Sequence, residues 1–183
     1  MNRLYIGFDN PLSILARSIP SEQLTITAEG AGITLRHDDD YHYTARVTTP
    51  GEARITLDDG NGHQTKYLFV AKRMPDNQPL LGSKYNSGDI ISSVFKEQSG
   101  IGVIITGFGF EARCTVESYV VTRIAKRYEG NALLNKGARF EPHIQQLIDL
   151  AAPGDQYFFD DIMARCPGDE SARNLGGLIF KIK

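Results

Sequence analysis

Between Tyr41 and Val47 the side chains alternate strictly, with Tyr41, Tyr43, Ala45 and Val47 on one side and His42, Thr44 and Arg46 on the other. A period of two gives a strand one apolar face, and no helix collects those residues into a stripe, so the stretch commits the chain to sheet. The pattern recurs through the first half. Leu4 to Phe8 runs to a break at Asn10-Pro11, beyond which Leu12 and Ile14 alternate. Leu24 and Ile26 alternate with threonines, Gly30-Ala31-Gly32 turns the chain into Ile33 to Leu35, and Pro50-Gly51 turns it into Ala53, Ile55 and Leu57. Asp58-Asp59-Gly60-Asn61-Gly62 turns it again into Tyr67 to Val70. Short period-two strands separated by turn formers predict an all-β sandwich, Ig-like in architecture although the Cys and Trp hallmarks of antibody domains are missing here.

Lys72 to Pro79 carries charge, two prolines and turn formers, and marks a boundary between a domain at 1–73 and one at 74–183. Beyond it the pattern changes to α+β. Ser87-Gly88-Asp89 predicts the cap of a short helix that buries Ile91, Val94 and Phe95 and ends at Gly100. Ile101 to Thr106 reads as an apolar strand, and Phe108 to Val121 as a long one with Phe108, Phe110, Ala112, Cys114 and Val116 on its apolar face. Pro142 suits the first turn of a second helix, whose stripe is Ile144, Leu147, Ile148 and Ala151. Pro153-Gly154-Asp155 ends that helix, Tyr157 to Ala164 follows as a strand, Cys166 to Asp169 turns, and Gly177 to Ile182 closes as a strand. The predicted fold class is mainly β: an Ig-like β-sandwich domain, then a β-rich α+β domain with two short helices.

The motifs that could carry chemistry each meet a physical objection. Gly107 to Ala112 fits the loose dinucleotide pattern G-x-G-x-x-A, but the residues after it alternate as a strand, which leaves no helix N-terminus for a pyrophosphate. His37-Asp38-Asp39-Asp40-Tyr41-His42 offers metal ligands, yet the acids fall between two strands, where acidic turns are solvated, and the spacing fits no EF-hand. Asp160 and Asp161 are strand neighbours, so they are expected on opposite faces rather than flanking one bond. No nucleophile elbow is present. The reading is non-enzymatic, with no catalytic, cofactor-binding or metal-binding residue and no cofactor. Cys114 and Cys166 fall in the same domain, so an oxidising compartment would permit a disulfide between them.

A formal net charge of −2 and a pI near 6.1 do not mark a nucleic-acid binder, and the basic group Arg123, Lys126 and Arg127 reads as a solvated strand end. No run reaches the apolar length of a membrane span, which predicts no direct membrane contact, and the start lacks the apolar core of a signal peptide.

Several segments in order resemble a known family. Tyr5 to Ile14 is similar to the opening strand of the penultimate, Ig-like domain of the GldM (PorM) gliding-motility family, and Lys72 to Gly82 is similar to its junction into the terminal domain. Ser99-Gly-Ile101, Phe108-Gly-Phe110, Val116 to Tyr119, and the block from Pro153-Gly-Asp155 to Pro167-Gly-Asp169 follow in the family's order. The resemblance implies the distal periplasmic shaft of the type IX secretion and gliding motor, a homodimer that transmits force to an outer-membrane-associated ring of GldK and GldN. Through a membrane anchor that these residues do not include, it implies a further partner, GldL. A periplasmic location follows by resemblance alone. The alternative is a stand-alone secreted or surface Ig-like binding or adhesion module, for which Tyr41, Tyr43 and Tyr67 are the clustered aromatic candidates. A metal-dependent enzyme built around His37 to His42 is the third class.

Overall fold

The computed structural model describes residues 2–15, 23–75, 78–105, 112–125 and 130–183. They fall into two units, residues 1–75 with 167–169, and residues 76–166 with 170–183.

The first unit is a two-sheet sandwich. Its strands are β1 (Asn2–Tyr5), β2 (Asn10–Ser13), β3 (Thr25–Glu29), β4 (Thr34–Asp39), β5 (His42–Arg46), β6 (Gly51–Asp58) and β7 (Gln64–Lys72). One sheet runs β1-β7-β6-β3 and the other β2-β5-β4, with β1 parallel to β7 and the remaining pairs antiparallel. Alternation decides which face is buried: Ala53, Ile55 and Leu57 on β6, Phe69 and Ala71 on β7, and Ala45 on β5 meet Leu4, Ile6 and Val47 in one core. Asn10 and Pro11 do not break the chain as the sequence suggested; they open β2 itself, opposite Ala45 and Thr44. Proline is tolerated there because β2 is an edge strand. Asn10 is buried because its amide donates to Tyr5 O, Phe8 O and Ala45 O while its oxygen accepts from Tyr5 N, which ties β1, β2 and β5 together.

The second unit adds β8 (Leu80–Leu81), β9 (Gly88–Ile90), α1 (Ser92–Lys96), β10 (Ile101–Gly102), β11 (Ile104–Ile105), β12 (Ala112–Arg113), β13 (Thr115–Ile124) and β14 (Ala132–Lys136). After these come α2 (Pro142–Asp149), β15 (Gln156–Arg165), β16 (Arg173–Asn174) and β17 (Leu178–Ile182). The main sheet runs β14-β13-β15-β17-β9, with β16 beside β15, while β10 pairs with β8 and β11 with β12. The Ser87-Gly88-Asp89 segment is therefore not a helix cap. Gly88 to Ile90 is a strand beside β17, the helix starts after Ile91 with no side-chain cap, and Ile91 is 62% exposed. Phe95 remains the buried anchor of α1, its ring packed against Tyr157, Phe159 and Phe180. The predicted strand at Ile101 to Thr106 is split between two small pairings, and Thr106 lies outside the described residues. Pro142 does open α2, and Ile144, Ile148 and Ala151 are buried with Leu147 half-buried beside them.

Two irregularities reset the faces of the central pair. The β13–β15 register slips between Val116 and Ser118 and again between Ser118 and Val120. Burial on β13 accordingly passes from Val116 to Tyr119 and Val121, and on β15 from Tyr157 and Phe159 to Ile162 and Ala164. A strict alternation from Cys114 through Val116 would have sent Ser118 and Val120 inward; the bulge substitutes Tyr119, whose ring closes on Phe140 and Phe159. Phe108 and Phe110, predicted to continue that face, lie outside the described residues.

Asn135, fully buried, organises the turn into α2. Its amide donates to Lys136 O, Gly137 O and Arg139 O, and its oxygen accepts from Glu141 N. Truncating it strands several backbone groups at once, each costing about 1–3 kcal/mol when buried without a partner. Asn135→Ala should lower the unfolding free energy by at least about 3 kcal/mol in urea titration. A change within about 0.5 kcal/mol would show that water reaches those groups.

Candidate functional site

The His37 to His42 hairpin is built from the end of β4 and the start of β5. Its acids are engaged locally. Asp38 accepts from Arg36 Nε at 2.7 Å and from the Thr44 hydroxyl, Asp39 meets His42 Nδ1, and His37 Nε2 lies 3.3 Å from Asp40 O. The His37 ring stacks on Tyr43 with centroids 4.6 Å apart. Among the described residues no group of three or more His, Cys, Asp or Glu side chains is disposed to hold a metal ion. Tyr41 and Tyr43 belong to this hairpin, whereas Tyr67 lies on β7 of the other sheet, so the three do not share one strand face.

Hydrogen bonds to the carboxylates of the first unit hold several of them below the ordinary value of 3.8. The Arg46 guanidinium does so for Asp9, the Thr44 hydroxyl and then Arg36 for Asp38, Gln64 and the Gly60 amide for Asp58, and the Asn61 and His63 amides for Asp59. A carboxyl lowered in the folded state contributes stability that is present above its unfolded value and is lost as pH falls through the folded one.

Asp160 and Asp161 sit at the β15 irregularity, not on a regular strand. Both are exposed, Asp161 has φ of 50°, and Asn174 Nδ2 donates to its carboxylate at 2.9 Å. Arg123 is not a solvated strand end. Its Nε and Nη2 donate to Asp155 Oδ2 at 3.0 and 2.8 Å, and Asp155, only 5% exposed, also accepts from Ala152 N. Lys126, Arg127 and Gly107 to Glu111 lie outside the described residues, while Ala112 opens β12.

Among the described residues, grooves are found in both units. In the sandwich, an opening of about 420 Å³ is lined by Leu12 and Ile14 at the end of β2, Ile55 and Leu57 on β6, and Tyr67 and Phe69 on β7. In the second unit, a groove of about 320 Å³ follows the segment from Gly100 to Ile104 and includes Ser83, Ser99, Arg113 and Arg139. Gly100 is required there: φ is +155°, and a Cβ would stand 2.0 Å from Ala138 O.

Cys114 and Cys166 are joined by a disulfide. The pair continues the register of Thr115 with Arg165 and Val116 with Ala164, so the bridge closes the end of the β13–β15 ladder. Neither Asn135 nor the Arg123–Asp155 pair was visible in the sequence, since each partner is contributed from a distant segment or from backbone.

Two family models cover the chain: residues 1–69 match the GldM third domain and residues 73–183 the GldM C-terminal domain. No curated protein matches it. Among solved structures, DIP-gamma IG1+IG2 is similar at 10% identity and a TM-score of 0.29 over 99% of this chain and 91% of that one. Human protocadherin-24 EC1-2 is similar at 11% identity and 0.32 over 100% and 94%. Likenesses that distant support no inference.

Bridging residues 52 apart removes chain entropy worth about 4 kcal/mol from the unfolded state. Native protein should show no free thiol in denaturant without reductant, and Cys114→Ala/Cys166→Ala should lose stability approaching that figure. Acid titration supplies a second check: the urea midpoint of the first unit should fall below about pH 4 as the four aspartates protonate. A midpoint unchanged down to about pH 2 would show that these contacts contribute nothing.

Proposed function

A chain that belongs to the GldM family, carrying its third and C-terminal domains, is a gliding-motility and type IX secretion component, and from that premise we propose a non-catalytic force-coupling role. The observation that carries it is the match of both domains, in order, across the chain. The family is structural and its C-terminal domains are periplasmic. We place this chain in the periplasm too, as the distal shaft passing load to an outer-membrane-associated ring of GldK and GldN, with GldL as the inner-membrane partner of the anchored protein.

Three physical features support this reading. The disulfide suits an oxidising compartment. Tension along β13 would be shared among the hydrogen bonds of a ten-residue strand and backed at one end by the covalent bridge. The junction at Lys72 to Pro79 carries two prolines, a sequence that suits a stiff connection. No helix among the described residues is long and apolar enough to cross a membrane.

The active form is a homodimer that contacts its copy through edge strands of the sandwich. The free edge of β14 is a poor candidate, because His143 Nε2 lies 2.9 Å from Leu134 O and the Glu141 carboxylate accepts from Lys136 N. The test is a pull-down of the purified chain against the GldK–GldN ring, with sedimentation at tens of micromolar. Specific retention and a dimer are expected; no retention together with a clean monomer overturns the role.

A further inference from the structure

The second unit has five described arginines, Arg113, Arg123, Arg139, Arg165 and Arg173. Arg123 holds Asp155, Arg165 Nη2 lies 2.9 Å from Glu117 Oε1, and Arg173 is engaged as well. Arg113 and Arg139 alone have no carboxylate partner among the described residues, and both are exposed beside the same groove. The segment from Gly100 to Ile104 sets their spacing. Arg139 bridges to Gly100 at one end, and Arg113 pairs opposite Ile104 at the other. Four residue steps of extended chain separate the two positions by about 13 Å.

We propose that this groove docks an extended acidic segment of a partner protein, with two carboxylates four residues apart received by Arg113 and Arg139. The chemistry follows from the guanidinium fork, which takes a carboxylate through two parallel N–H···O bonds. Carboxylates two residues apart on one strand face recur every 7 Å or so, so positions i and i+4 of an extended segment match the arginine spacing. One phosphate cannot span that distance, and a chain of net charge −2 has no field to gather a polyanion. Ser83 and Ser99 bring hydroxyls to the same groove, suited to the backbone of the incoming segment. The inference rests on the coupling role, since it supplies a surface through which a ring component is held.

The probe is a fluorescein-labelled nonapeptide of Gly and Ser with two glutamates four positions apart, read by anisotropy against the full chain. Arg113→Gln/Arg139→Gln should weaken binding about tenfold, as should replacing both glutamates by glutamine. Arg3→Gln/Arg73→Gln in the first unit, also without carboxylate partners among the described residues, should change nothing. Binding that is equal for the two peptides, or unchanged in the Arg113→Gln/Arg139→Gln chain, overturns the site. Melting temperature certifies the fold, and Arg113→Lys/Arg139→Lys should recover part of the affinity because charge is retained while the fork is lost. Ring retention separates the two ideas. Retention by the wild type that survives Arg113→Gln/Arg139→Gln overturns the groove and leaves the coupling role standing. Absence of any retention by the wild type defeats the coupling role, and the peptide titration still decides the groove.

Discussion

The paired irregularity in the β13–β15 ladder is the constraint on which the second domain depends. Both strands exchange their buried face within a few residues of each other, so each keeps apolar side chains inward along its whole length. Had only one slipped, its partner would have carried a polar residue into the core or an aromatic one into water. With both displaced, Tyr119, Tyr157 and Phe159 lie fully buried together with Phe95 from α1 and Phe180 from β17. The positive φ at Asp161 is where β15 accommodates the extra residue. Helices, closing strand and disulfide are all arranged around the pair that results.

Local pattern made the sandwich legible and left the second domain half-read. Ala53, Ile55 and Leu57 are buried as their alternation predicts, because one sheet face is packed and nothing interrupts the period. The same rule holds through Glu117 and fails at Ser118, since a bulge is dictated by what the opposing strand needs. Ser87-Gly88-Asp89 carries the letters of a helix cap, but β17 recruits the next residues as a strand, and no nearby letter reveals a partner some ninety positions away. Proline at Asn10-Pro11 is a turn signal by composition and an edge-strand residue by position.

Polar residues inside the fold were the least legible. Asn10 and Asn135 look like ordinary turn and strand residues, yet each satisfies several backbone groups from within a closed interior. Arg123 looks like part of a basic cluster until Asp155 arrives from beyond α2. At the groove, Arg113 and Arg139 are distinguished only by having no carboxylate partner among the described residues, a property of the arrangement and not of the local sequence. The disulfide sits between these cases: the sequence allows the pair, and the strand register places it.

The position of β17 has a consequence for how the protein is made. Residues 178–182 enter between β15 and β9, so β9, ninety residues earlier, waits without a partner until they are present. The second domain therefore cannot mature in step with its emergence from the ribosome or from an export channel. It stays open, holding α1 on an incomplete sheet, until its final strand is released and slots into the gap. Such long-range closure is slow, so Phe95 and Tyr157 wait for Phe180, their last partner, until that strand is in place.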